Sequence, residues 1–185
     1  RARTFARVPK ANSHHLSCGV LAMVCNSVFQ HPELGIDNLC IVAPLSKNFA
    51  LLFCFTQLFG KFFKTSTDEI IKGVGIFDIE TYGKAERLIG NTIVDSKDFG
   101  LMYGYENHSG QTFLKERVQP LGLVRLGAGN NLKDGHEGAR YKNVIGSYLH
   151  GSILPKNPKL ADFLIKTAVI NKYGEFLGEA IDDSL

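Results

Sequence analysis

Apolar residues along this chain gather in short runs, most of them too brief for a helix and rich in β-branched or aromatic side chains. Asn38 to Ala43, closed by Pro44, predicts a buried strand, and Phe49 to Phe55 predicts a second. Gln57 to Phe63 predicts a helical turn. Further strands are expected at Gly73 to Ile79, Leu88 to Val94, Leu101 to Tyr105, Leu121 to Leu126 and Val144 to Leu149. Turn formers crowd Asn107 to Gly110 and Gly127 to Asn131, which predicts reversals of the chain there. After Pro155 and Pro158 the pattern changes. Leu160, Phe163, Leu164 and Ala168 recur at helical spacing, so Lys159 to Lys172 should be an amphipathic helix stopped near Gly174. Short buried strands with few helices predict an α/β domain built on a mixed sheet.

Composition narrows the class. The chain has 185 residues with 44% hydrophobic and 21% charged side chains, ordinary for one globular domain and unlike a disordered or coiled-coil chain. The net charge of +3 resides wholly in residues 1–54, where Arg1, Arg3, Arg7, Lys10 and Lys47 face only Glu33 and Asp37. That excess is far below what phosphate-backbone binding demands, so no nucleic-acid partner is expected. The most apolar stretch, Phe49 to Phe59, already carries Thr56 and Gln57, so no transmembrane segment is expected either. The arginines ahead of the apolar patch Gly19 to Cys25 are interrupted by two histidines and an Asn-Ser pair and are not read as a targeting peptide. Cys18, Cys25, Cys40 and Cys54 match no zinc or redox spacing and no disulfide framework, which favours a reducing, cytoplasmic setting.

Three stretches carry candidate chemistry. In Cys54 to Gly60 an apolar run is followed by a predicted helical turn, and a thiol at such a corner sits where the helix N-terminus favours the reactive thiolate. A buried structural cysteine fits the same residues. In Gly146 to Gly151 a predicted strand ends in His150, well placed for a general base, although a loop histidine would look the same. Glu106 to Thr112 is a polar stretch that a hairpin with satisfied side chains would also explain. His108, His136 and His150 lie too far apart to show a ligand spacing, so no metal site is expected. Gly127 to Gly129 lacks the Gly-Lys-Ser/Thr that completes a phosphate loop.

Taken in order, several motifs carry a resemblance. They are Gly73-x-Gly75-x-x-Asp78, Glu86 to Asn91, Gly104-Tyr105-Glu106-Asn107-His108-x-Gly110-x-Thr112, Gly129-Asn130-Asn131, Glu137-Gly138, and Tyr141 to Ala161 with His150-Gly151 at its centre. This series resembles the class I glutamine amidotransferase domains of the cobyric acid synthase type, and within them the glutaminase subunits of lipid II isoglutaminyl synthases. The resemblance implies a single α/β domain with a mixed, mostly parallel sheet flanked by helices. Residues 51–172 would be its core, 1–50 a divergent or truncated part of the same domain, and 173–185 a tail. It implies hydrolysis of L-glutamine with Cys54 as nucleophile, His150 as proton carrier and Arg87 holding the substrate. The ammonia would pass to a Mur-ligase-like partner of the MurT kind that amidates the D-glutamate of lipid II. No cofactor is then expected on this chain, ATP and Mg belonging to the partner.

The stretch around the nucleophile departs from the family pattern Cys-Gly-Gly-Tyr-Gln-Leu-Leu-Gly. Gln57-Leu58-Phe59-Gly60 keeps its second half, but Cys54 stands three residues before Gln57 and Phe55 and Thr56 replace the glycines. Phenylalanine does not easily take the positive φ of a strained elbow. A displaced cysteine, a catalytically silent binding subunit, and an altered reading of this stretch all fit. A corrinoid-amidating relative is a further alternative, against which Glu106-Asn107-His108 favours the peptidoglycan branch.

Overall fold

The computed structural model describes the backbone of residues 51–53, together with residues 59–150 and 153–176. Cys54 and the strand expected at Asn38 to Ala43 lie outside these residues, as does most of the expected tail.

Among the described residues nine strands and two helices follow one another. They are β1 (Leu51–Phe53), β2 (Phe62–Lys64), β3 (Ile70–Lys72), β4 (Ile79–Ser96), β5 (Gly100–Leu114), β6 (Gly122–Leu126), β7 (His136–Glu137), β8 (Ala139–Tyr141), β9 (Val144–Gly146), α1 (Ile153–Lys156) and α2 (Pro158–Tyr173). One sheet has the order β1-β9-β8, with β1 parallel to β9. The other has the order β3-β2-β4-β6-β7, and β5 pairs with β4. The 18 residues of β4 let two strands share one of its edges, β2 at Glu80 to Tyr82 and β6 at Ile93 to Asp95. β5 runs antiparallel along the opposite edge.

The sheets are mixed, as expected. Among the described residues, however, antiparallel pairings predominate, five against two parallel. The reason is the long β4–β5 hairpin, which turns tightly at Gly100 with φ +73° and needs no crossover helix.

Two clusters make the core. One joins Val94, Met102, Ile145 and Leu149 to Ile153 of α1 and to Leu160 and Leu164 of α2, so the strands of both sheets and the helices share it. The other gathers Phe59, Phe77, Ile79, Val118, Ala139 and Val144. Helix α2 fits its sequence signal closely. Pro158 opens it, needing no N–H partner, and Gly174 closes it in the left-handed region, donating its N–H to the Ile170 carbonyl.

Some local expectations are corrected. Gly73 to Phe77 is not a strand. Its N–H groups at 73, 75 and 77 bond back to Lys61, Gly60 and Phe59, and Gly75 takes φ +76°, so the segment folds onto the chain entering β2. Phe62 and Phe63 belong to β2 and not to a helical turn. Asn107 to Gly110 is not a reversal but the interior of β5, where cross-strand pairing with β4 overrides the turn preference of Asn, Ser and Gly. Strand β9 stops at Gly146, three residues short of Leu149.

Candidate active site

Burial alternates along β5, placing Gly104, Glu106, His108 and Gly110 inward and Tyr103, Tyr105 and Asn107 outward. The inward face meets the segment after β9. A Cβ on Gly104 would stand 2.8 Å from the Cβ of Leu149 and 3.2 Å from its Cα, so glycine is what lets this segment lie against β5. The contact is completed by the His150 N–H, which donates to the Tyr105 carbonyl at 2.6 Å in an antiparallel bridge. His150 therefore sits four residues beyond the carboxyl end of β9, held to β5 by its own backbone.

Arg87 reaches the same neighbourhood from β4. From Gly83, paired with Gly110, to Leu88, paired with His108, β4 advances five residues while β5 advances two. Lys84 to Arg87 thus bulge outward opposite the single Ser109 and are exposed. Both Nε and Nη2 of Arg87 donate to Oδ1 of Asn107, at 3.1 and 2.7 Å. The imidazole of His150 is held below its ordinary pKa of 6.5, first by burial and then by the charges of His108 and Arg87. The ring is therefore biased toward its neutral form.

Beneath this surface lies a buried polar cluster. Glu106 accepts the N–H groups of Ala128 and Gly129 at 2.6 and 2.9 Å, with His108 Nε2 at 3.8 Å. Burial alone would push this carboxyl up, but those donors outweigh it and leave Glu106 below the usual range. His108 Nδ1 lies 2.8 Å from the Gly110 carbonyl, which can only accept, so that nitrogen carries a proton. Its ring stacks on Tyr148 at 3.7 Å, and the Tyr148 hydroxyl is 2.6 Å from Thr112 Oγ1. Glu137, wholly buried, accepts the Tyr148 N–H at 2.6 Å and the Ser147 hydroxyl at 3.1 Å. Burial pushes its carboxyl up to about 7 despite these donors, with the Glu106 charge adding to the rise.

Of the residues expected to act, Arg87 is joined to β5 at Asn107 and His150 to the same strand at Tyr105, two residues away. Cys54 lies outside the described residues. β1 ends at Phe53, opposite Gly146 at the end of the parallel β9, so the chain leaves both strands at one edge of that sheet. The roles of Asn107 and Glu137 escaped the sequence. The alternation of β5 carried a signal for the first once the Glu106 to Gly110 stretch is taken as strand, whereas nothing local marks a buried carboxyl. Among the described residues no three His, Cys, Asp or Glu side chains converge on a metal position, and no helix is long and apolar enough to cross a membrane.

Comparison with known proteins agrees with the motif order. Residues 56–158 match the model of the CobB/CobQ-like glutamine amidotransferase domain. The chain is 41% identical over 127 residues to the lipid II isoglutaminyl synthase (glutamine-hydrolyzing) subunit GatD of Staphylococcus aureus, covering 69% of this chain and 51% of that protein. It thus spans about half that relative's length. A probable cobyric acid synthase of Methanothermobacter thermautotrophicus is 36% identical over 95 residues, 46% of this chain and 19% of that one. A crystal structure of a glutamine amidotransferase aligns with a TM-score of 0.46 at 18% identity, over 64% of this chain and 60% of the other. With more than half of its residues matched by the family model and the motifs in sequence order, the chain belongs to the CobB/CobQ-like glutamine amidotransferase domain family.

Proposed function

We propose that this chain hydrolyses L-glutamine with Cys54 as nucleophile and His150 as proton carrier, and delivers the ammonia to a Mur-ligase-like partner that amidates the D-glutamate of lipid II. The observation that carries the reading is the departure of the chain from β1 and β9 at one sheet edge, with His150 following β9 and Cys54 following β1 in sequence. The neutral imidazole takes the thiol proton, and the thiolate attacks the glutamine carboxamide carbon. Backbone N–H groups after the nucleophile stabilise the oxyanion, and His150 returns the proton to the departing ammonia. Water then hydrolyses the thioester. Arg87 grips the α-carboxylate of glutamine with its planar fork. The choice of acceptor follows the relative GatD, whose name places it in a lipid II isoglutaminyl synthase.

A second reading, a non-catalytic binding subunit, is favoured by Phe55 and Thr56 in place of the elbow glycines. A glutamine-analogue electrophile separates the two. The expected outcome is covalent labelling of Cys54, located by peptide mass, and protection by L-glutamine. Absence of labelling in the presence of the ligase partner would establish the binding subunit instead.

A further inference from the structure

We propose that Asn107 is a positioning residue for substrate recognition, its side-chain carbonyl holding the Arg87 guanidinium side-on so that the opposite edge meets the α-carboxylate of glutamine. The inference deepens the glutaminase reading and rests on it. A guanidinium offers a carboxylate two bidentate edges, one formed by Nε with Nη2 and one by Nη1 with Nη2. Asn107 Oδ1 takes the first with two hydrogen bonds to a single oxygen. Among the described residues no carboxylate pairs with Arg87 and no partner takes the second edge. The positive charge is thus oriented by a neutral amide and left uncompensated, the arrangement an anionic ligand requires. Asn107 lies two residues along β5 from Tyr105, to which the His150 backbone is bonded.

The holder is rigid where the held residue is not. Arg87 belongs to the four-residue bulge without ladder partners, and a long side chain on such a segment has many conformers to lose. Asn107 is paired through its backbone with Ile89, and its neighbours point inward. Glu106 is fixed by the N–H groups of Ala128 and Gly129, and His108 by Gly110 and the Tyr148 ring. The triplet Glu106-Asn107-His108 therefore has two anchors facing the core and one hand facing the site. Substituting the hand should loosen the guanidinium without touching the anchors.

The test is steady-state glutamine hydrolysis by the full chain with its ligase partner. Asn107→Ala should raise KM for glutamine by about five- to twentyfold while kcat changes by less than about threefold, because binding and not proton transfer is impaired. Thermal unfolding should be unchanged, Asn107 being exposed. Asn107→Asp keeps the acceptor but neutralises Arg87, so KM should rise at least as far. In an Arg87→Ala background, Asn107→Ala should add less than about twofold, since the two act as one unit. An unchanged KM, or the same factor in both backgrounds, would overturn the assignment while leaving the glutaminase intact. A wild-type complex that hydrolyses no glutamine would instead remove the glutaminase reading, and this inference with it.

Discussion

At the scale of single residues, two positions hold the site by opposite means. Gly104 acts through what it lacks. A methyl group there would collide with Leu149, so Gly104→Ala should push the His150 segment off β5, cost about 1–3 kcal/mol and lower glutamine turnover together with the melting temperature. Glu137 acts through a carboxyl sealed among Tyr148 and Ser147. Its folded pKa of about 7 lies above the ordinary 4.5, so the stability it contributes is complete below about pH 4.5 and is lost as pH rises through 7. Glu137→Gln, whose amide can still accept from the Tyr148 N–H and donate to Ser147, should lack that loss. The variant should gain on the wild type between pH 5 and pH 7.5, by up to about 3 kcal/mol in denaturant titrations. A difference that does not vary with pH would mean that Glu137 stays ionised throughout.

At the scale of elements, the decisive join is between the C-terminal helices and the outer edge of β5. Asn157, just ahead of α2, accepts the Tyr103 N–H at 2.8 Å and donates Nδ2 to the Tyr103 carbonyl at 2.9 Å and to the Ile153 carbonyl at 2.7 Å. One side chain thus takes the place of a strand residue two positions from the His150 bridge at Tyr105. Asn157→Ala would leave the Ile153 carbonyl unpaired where it is buried and the Tyr103 groups unpaired where they are part-buried. It should cost about 2–3 kcal/mol, lowering the melting temperature by about 5–10 °C. Preserved stability would show that the helices dock through Leu160 and Leu164 alone.

For the whole molecule, the proposed chemistry makes predictions that no single contact does. His150→Ala should abolish glutamine hydrolysis and leave assembly with the ligase partner intact, with added ammonium restoring amide formation by the complex. Because burial, His108 and Arg87 all hold the His150 imidazole below 6.5, the acid limb of kcat/KM should have its midpoint below that pH. Arg87→Ala removes one of those charges, so the midpoint should move up while KM for glutamine rises about tenfold to a hundredfold. A pH profile that Arg87→Ala leaves in place would separate the arginine from the histidine.

Much of this was legible in the sequence where a local rule governs. Pro158, the apolar spacing through Ala168 and Gly174 delimit α2 because caps and periodicity are properties of neighbouring residues. Leu88 to Val94 and Leu101 to Tyr105 read correctly as strands because β-branched and aromatic side chains suit a half-buried pleat. The order of motifs was enough to point to the family. Where pairing partners lie far apart along the chain, local rules gave the wrong answer. Asn107 to Gly110 has turn composition but is strand because β4 lies beside it, and Gly73 to Phe77 has strand composition but is loop because its N–H groups find Phe59 to Lys61. The site shows the same division. His150 and Arg87 were candidates by residue type and motif, but their proximity depends on Gly104 admitting Leu149 and on a bulge carrying Arg87 outward. The raised pKa of Glu137 has no local signature at all, since burial is set by what the rest of the chain packs around a residue.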